Sequence, residues 1–502
     1  DPDGRESPRP LALARLNSHF QTGIKSPLDV AILAKAGPED ELWTKLDEVP
    51  FDFERRRLSV VVEHGEERLL ITKGAPDAIC SLAAKCDAER ASGTDVDGAT
   101  RDRWRQWLAH AGEQGMRVIA VAYKPAGQQT AWRASDERDM ILAGFLTFSD
   151  PPLPEAAEAL AGLRNDGVVV KVLSGDDAAV ARHVCEAVGI ESGTPLLGAD
   201  IDRISDSALG PVAERTAVFA RISPAQKTRI LLALKRRGHV VGFMGDGIND
   251  APSLHAADVG IAAPHAVDVA REAADILLTE NGLDVLHAGI LAGRRAFGNV
   301  TKYLLMGTSS NFGNMVSMAA ASVLLPFLPM LPTQILLNNL LYDISQISIP
   351  TDDVDPSWLR RPHRSDIGLV RRFMLFVGPI SSLFDFLTFY VLLRFFHAKE
   401  AFFHTGWFVE SLCTQTLVLF VIRTFERPWR SRPSLALTAT VLAVVAVGAS
   451  LPAMPFARVL GFVPLPMTYF AFVAAATVTY LALVEIAKAA LVRRGALGAT
   501  RQ

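Results

Sequence analysis

The chain has 502 residues and a mass of 54.3 kDa, with 49% hydrophobic and 21% charged residues and a mean hydropathy of +0.22. That length gives room for about three domains of roughly 150 residues, and so high a mean beside 51 Lys+Arg and 54 Asp+Glu argues against a purely soluble protein. A net charge of -3 with no basic stripe leaves no electrostatic case for nucleic acid as a partner.

Asp1 to Pro10 lack the basic flank and apolar run of a signal peptide and do not start with Met, so a fragment is expected. Cys80, Cys86, Cys185 and Cys413 are widely spaced without a C-x-x-C, which suits neither a disulfide framework nor a zinc site and fits a reducing compartment. Residues 1–140 carry helical segments near 9–36 and 101–114 and strand patterns at RLSVVVEH, RLLITKG and MRVIAVAYK, predicting a separate α+β domain. From 141 to 281 short β-branched runs, beginning with ILAGFLTF, alternate with helical stretches. This pattern predicts a doubly wound parallel α/β domain over 141–295, with ligand groups at the carboxyl ends of its strands.

Hydrophobic runs follow at 304–325, 333–350, 373–393, 407–422, 434–452 and 467–488, predicting an α-helical transmembrane bundle of six helices over 296–502. Lys and Arg number four or five in the loops 351–372, 423–432 and 488–502, against zero, two and one in 325–332, 394–406 and 452–466. By the positive-inside rule both ends of the bundle, and the soluble part with them, face the cytoplasm.

The tract GFMGDGINDAPSL, 242–254, runs from an apolar strand into a helix and sets Asp246 and Asp250 together at the strand's carboxyl end. Two carboxylates flanked by glycines make a hard oxygen site for Mg2+ at a transferring phosphoryl group, with the Asn249 amide adding a contact. Upstream, LSGDD (173–177) ends a strand and starts a helix, so Ser174, Gly175 and the following amides can hold phosphate oxygens. ARISPAQK brings Arg221 and Lys227 to another strand end, where a lysine can offset charge on reacting oxygens. In the first hydrophobic run Asn311 and Asn314 share a helical face, as do Asn339 and Asp343 in the second, a chemistry suited to Mg2+, which keeps its waters and needs few carboxylates. Asp385 in the third run reads chiefly as a structural hydrogen-bonding group.

With these residues in view the chain resembles the P-type cation-transporting ATPases, through FDFERRRLSVVV, ITKGAPD, GMRVIAVA, SDPPLPE, LSGD, ARISPAQK and MGDGINDAP in order. LNSHFQTG, EVPFDFERRR, SSNFGNM, LPFLPMLP, NNLLYDISQ and VGPISSLFD look like the bacterial magnesium-transporting branch. The resemblance implies a haloacid dehalogenase-like phosphorylation domain over 141–295 and a nucleotide-binding domain over 1–140. ATP would be held by Phe51 as the adenine-stacking aromatic, by Lys73 and Gly74 of KGAP, and by Asp29, Arg56 and Arg117. It further implies that Asp246 and Asp250 form the catalytic Mg2+ region with Asn249, that Lys227, Arg221, Ser174, Gly175 and Asp176 contact phosphate or nucleotide, and that Asn314, Asn339 and Asp343 bind the transported Mg2+. The function implied is ATP-driven Mg2+ import across the inner membrane, by a multi-pass protein embedded in the lipid bilayer. Without the resemblance, Phe51 and Phe53 read as strand core and Arg55 to Arg57 as a solvated face.

Two departures stand against the family pattern. Ser174 replaces the usual Thr, keeping the hydroxyl, and no D-K-T-G-T tract carrying the phosphorylated Asp occurs; DVDGAT at 95–100 reads as an exposed loop. This chain alone is therefore expected not to pump. A separate N-terminal half supplying that Asp would be its partner, and a truncated noncatalytic nucleotide-binding membrane protein is the alternative; a stand-alone phosphatase would leave the membrane runs unexplained.

Overall fold

A computed structural model describes residues 1–493 apart from 24, 36–41, 53, 89–90 and 150. Phe53, Asp150 of SDPPLPE and the tail of the last Lys/Arg-rich segment lie outside the described residues. The chain forms two compact units, Asp1–Gly162 with Val169–Val285, and Leu163–Val168 with Leu286–Gln502.

The first unit holds a seven-stranded sheet of β1 (Thr44–Asp52), β2 (Arg57–His64), β3 (Glu67–Gly74), β4 (Ala83–Ala88), β5 (Ala91–Asp95), β6 (Met116–Pro125) and β7 (Met140–Ser149), in the order β1-β2-β3-β6-β7-β4-β5. All pairs are antiparallel except β4 with β7. Both faces are covered, which explains the uninterrupted apolar run of β2. Leu58, Val60 and Val62 pack with Leu13, Leu16 and Ile32 of the helices Pro8–Phe20 and Pro27–Lys35, while Val61 turns to Ile79 and Trp104.

ILAGFLTF differs from expectation: it lies in β7, paired with β6 from Met116↔Ser149 to Tyr123↔Ile141, rather than opening the parallel sheet. An apolar run buried on both faces reads alike in either kind of sheet, so period alone could not place it. DVDGAT also differs, because Asp97 accepts a hydrogen bond from the Thr100 amide and caps the helix Gly98–Glu113.

Parallel pairing appears in two three-stranded sheets. One joins β8 (Val172–Leu173), β9 (Leu196–Leu197) and β10 (Val218–Ala220) in the order β8-β10-β9; the other runs β11 (Gly242–Gly245), β12 (Val259–Ala262), β13 (Ile276–Leu277). Leu173 and Val241 each pack against the apolar clusters of both sheets, so β8 and β11 are the end strands flanking one seam.

The second unit is helical: Leu283–Leu324, Pro332–Gln346, Ile367–Arg394, Glu400–Leu417 continued by Leu419–Ile422, Leu435–Ser450 and Met467–Arg493. Among the described residues four segments, at 367–394, 400–422, 435–453 and 467–493, are long and apolar enough to cross a membrane. The first two predicted spans are helical but fall short of that measure. Pro332–Gln346 has only 15 residues, and the apolar part of Leu283–Leu324 is diluted by Ser309, Ser310, Asn311, Gly313 and Asn314. Those small and polar residues allow close packing: the Gly313 carbonyl accepts a hydrogen bond from Ser382 Oγ at 3.0 Å, and a Cβ on Gly313 would fall 3.0 Å from the Gly378 carbonyl oxygen.

At one end of this unit Asp352, 1% exposed, accepts hydrogen bonds from Lys302 Nζ at 2.7 Å, Arg423 Nε at 2.9 Å and the Ser434 amide at 3.1 Å. Beside it Asp355 accepts from Thr424 Oγ1 and the Phe425 amide, while Lys488 Nζ donates to the carbonyls of Val421, Thr424 and Glu426. Asp352→Ala strands two cations in the interior and is expected to destabilise this unit by about 3–5 kcal/mol. The same change at exposed Asp353, whose backbone carbonyl alone binds Lys302, should stay within about 0.5 kcal/mol. Melting of the detergent-solubilised protein by circular dichroism checks the pair, and equal melting would remove Asp352 as the clamp.

Candidate active site and ion path

Register gathers most of the residues expected at a nucleotide. Asp52 pairs with Arg57, Arg57 with Gly74 and Gly74 with Ala120, so Phe51, Arg56, Gly74 and Arg117 all sit at one end of β1, β2, β3 and β6. Phe51 is 50% exposed and stands off the core. Arg56 holds a left-handed backbone, φ 50°, its carbonyl accepting from the Ala75 amide at 3.0 Å and its guanidinium paired with Asp77. Gly74 is required there because a Cβ would fall 2.4 Å from the Arg56 carbonyl oxygen.

Arg55 and Arg57 are not a solvated face: both bind Glu137, through Arg55 Nη1 at 2.8 and 2.9 Å and Arg57 Nε at 2.6 Å, and Ser59 Oγ donates to it at 2.7 Å. Glu137 sits in a polar stretch with no sequence signal for this role. Lys73 and Asp29 are both buried and paired to each other, with Ser18, Gln21 and Ser26 hydrogen-bonding Asp29. Burial pushes the Asp29 carboxyl up, but the Lys73 ammonium and the Ser26 hydroxyl and amide outweigh it and hold the group down at about 2. Burial in turn lowers Lys73 despite its partner, so the ammonium is held in place at some cost.

The second cluster lies at the carboxyl ends of the parallel strands. After β8, Ser174 Oγ donates to Asp176 Oδ2 at 2.9 Å and accepts from the Asp176 amide at 3.1 Å, with Gly175 exposed between them. Arg117 Nη2 reaches Asp176 Oδ1 at 2.6 Å, tying the end of β6 to this loop. After β10, Arg221 at φ 51° places its guanidinium on Asp177, which also caps the helix Ala178–Ala187. Ser223 and Gln226 form a capping box that starts the helix Pro224–Arg236 and sets Lys227 in its first turn.

Lys227 Nζ donates to Asp250 Oδ1 at 2.7 Å, and Asp250 Oδ2 accepts long bonds from the amides of Asp246 at 3.4 Å and Gly247 at 3.3 Å. Gly245 permits this turn, since a Cβ there would meet Asp250 Cβ at 2.6 Å. Asp246 and Asn249 stay exposed. Among the described residues no three His, Cys, Asp or Glu converge on a metal position.

Of the expected ion-path residues, Asn314 is half-buried and its Oδ1 accepts from Gln415 Nε2 at 2.6 Å. Asn339 and Asp343 lie on the exposed face of Pro332–Gln346, while Asn338 and Gln346 are buried with side-chain oxygens that lack a partner. Among the described residues no hydrogen bond joins Asn314 to Asn339 or Asp343. Asp385 is buried and takes donors from Ser317 and Trp407, as a structural group should. Sequence reasoning missed Glu410 and Gln415; an ionisable residue inside an apolar run was the available signal for Glu410.

A mixed sheet covered on both faces with a polar edge, parallel strands ending in Asp, Lys and Ser loops, and a helical bundle with apolar segments long enough to cross a membrane define a membrane protein of mixed architecture. The comparisons agree: residues 7–155 match the family described as P-type ATPase, cytoplasmic domain N, and residues 327–490 match Cation transporting ATPase, C-terminus. The chain belongs to the P-type ATPases. It is 46% identical, over 98% of its length, to the magnesium-transporting ATPase, P-type 1, of Salmonella typhimurium and to that of Escherichia coli. It is 31% identical over 64% of its length to a calcium-transporting ATPase of Bacillus subtilis. The chain spans 56% of the length of the two magnesium-transporting relatives, about half.

The Asp29 carboxyl is depressed when folded, so its stabilisation is present above its ordinary value of 3.8 and is lost as pH falls toward about 2. Acid titration of the folded protein, followed by tryptophan fluorescence, should show a loss of stability in that window which Asp29→Asn removes. A variant with the wild-type acid profile would sink the assignment.

Proposed function

We propose that the chain is the C-terminal part of an ATP-driven magnesium pump that imports Mg2+ across the inner membrane, with its soluble domains in the cytoplasm. The observation that carries this reading is the Lys227–Asp250 pair beside exposed Asp246 at the carboxyl end of a parallel strand, in a chain of this family. We read three parts: a nucleotide-binding domain, which the sheet extends past residue 140 to Ser149; an incomplete haloacid dehalogenase-like phosphorylation domain to about 295; and a bundle that uses six helices as spans. ATP would stack on Phe51 and lie along Arg56, Lys73, Gly74 and Arg117, with Asp29 holding Lys73 in position. Mg2+ bound at Asp246 and Asp250 would neutralise charge on the transferring phosphoryl group. Lys227 fixes Asp250, Asn249 is free to meet phosphate, and Ser174, Gly175, Asp176 and Arg221 shape the opposing loop.

The D-K-T-G-T tract is absent from these 502 residues. The end strands β8 and β11 flank one seam, and we propose that the strand carrying the phosphorylated Asp, from an N-terminal half, fills it. The exposed polar face of Asn339 and Asp343 supports the same division. A carboxylate at hydrocarbon depth calls for a protein cover, and helices from that half would complete a Mg2+ path there with Asn314. The second reading, a noncatalytic nucleotide-binding membrane protein, is favoured by the same open seam if nothing fills it.

In the full-length pump, Asp246→Ala should abolish the hydroxylamine-sensitive phosphoenzyme formed from labelled ATP while ATP binding persists; normal phosphorylation would remove its metal role. The 502-residue chain alone should form none. Its labelling by itself would overturn the seam argument. Asp343→Ala should impair Mg2+ uptake and leave nucleotide binding intact, and unchanged uptake would take it off the path.

A further inference from the structure

A pair of acids in the middle of the bundle has no part in the reading above. Asp385 of Ile367–Arg394 and Glu410 of Glu400–Leu417 are 3% and 1% exposed, and Trp407, which donates to Asp385, stands three residues before Glu410 on the same helical face, so the second acid faces the first. The Asp385 oxygens are both served: Oδ2 accepts from Ser317 Oγ of Leu283–Leu324 at 2.6 Å, and Oδ1 from Trp407 Nε1 at 2.7 Å. Glu410 is the opposite case, because neither of its buried carboxyl oxygens meets a donor.

Among the described residues the surroundings offer no counter-charge. The other titratable groups acting on the pair are Cys413 on the same helix as Glu410 and Tyr469 and Tyr480 of Met467–Arg493, all neutral, with Tyr342 of Pro332–Gln346 beyond Tyr480 and hydrogen-bonded to Ser310. Leu435–Ser450 contains no titratable residue. The nearest cationic candidate along the helix, His404, lies well over a turn away and is bonded to the Leu328 carbonyl. Two ionised carboxylates in contact, dry and without a cation, are excluded by desolvation and mutual repulsion together. Two donors favour the anion at Asp385, while the empty surroundings of Glu410 favour its acid.

We propose that Glu410 binds a proton and donates it to the Asp385 carboxylate, making a proton-binding site inside the bundle that is distinct from Asn314, Asn339 and Asp343. The hydrogen bond joins Ile367–Arg394 to Glu400–Leu417, and Ser317 brings in Leu283–Leu324 as the third helix. Loss of the proton would set two like charges against each other at that junction and part the helices. The site stands whether or not the chain carries Mg2+.

Infrared spectroscopy of the detergent-solubilised chain tests it. The wild type should show the carbonyl stretch of a protonated buried carboxylic acid near neutral pH, shifting in heavy water. Glu410→Gln, whose amide can still donate to Asp385, should fold and lack the band; Asp385→Asn should keep the band at a shifted frequency. Absence of the band, its survival in Glu410→Gln, or an unshifted band in Asp385→Asn would each overturn the proposal, as would its erasure by added Mg2+, which would make this a metal site. Should Asp385→Asn not fold, melting against pH decides. The wild type should lose melting temperature relative to Glu410→Gln as pH rises above the ordinary glutamate range, where only the unfolded chain gives up its proton, and parallel profiles would refute the site.

Discussion

A charge taken out of water must be answered within hydrogen-bond distance, and Asp352 is where the helical unit depends on that rule. Its carboxylate collects Lys302 from the longest helix, Arg423 from the end of the 400–422 segment and the amide that starts Leu435–Ser450. Three apolar helices can slide or rotate against one another with little penalty, since their surfaces are greasy and similar. A buried ionic node cannot slide, because displacement by one residue leaves a desolvated charge. Asn299 adds to the fixation by donating to the carbonyls of Pro350 and Asp352, and Lys488 caps the open carbonyls where the 419–422 turn ends.

The soluble unit uses the same rule to hold a site. Glu137 answers Arg55 and Arg57, which leaves the intervening Arg56 in a left-handed conformation at the sheet's edge. Asp29 answers Lys73, and Asp250 answers Lys227. Arg56 and Arg221 both carry positive φ, each with its carbonyl crowding a glycine, Gly74 in one case and Gly198 in the other. Backbone strain held by surrounding structure is characteristic of places where side-chain direction matters.

Much of this was legible in the sequence because local period and turn chemistry decide it. β2 coincides with RLSVVVEH, β6 takes in MRVIAVAYK, and the helices after LSGDD and ARISP begin where their caps stand. What was not legible depends on long-range pairing. ILAGFLTF is apolar on both faces, so only its partner β6 reveals which sheet it joins. Arg55 and Arg57 look solvated until Glu137, some 80 positions away, is seen against them. Glu410 sat in a run weighed for its hydrophobicity, and its lack of a donor is a property of three helices rather than one.

The groups that escape the rule separate into two kinds. Asp343 and Asn339 are polar and uncovered on a helix face, and among the described residues β8 and β11 are each paired on one side only, with β10 and β12. These openings lie at the surface of their units, where another segment can reach them, and in the proposed pump both would be closed by the same N-terminal half. Glu410 lies in the interior, where no segment can reach it. What enters there must be small enough to pass between packed helices and must remove charge, since no cation is built in. A proton meets both demands, so the buried acid can be satisfied by chemistry alone, while in the proposed pump the exposed face and the open seam take a partner with a backbone.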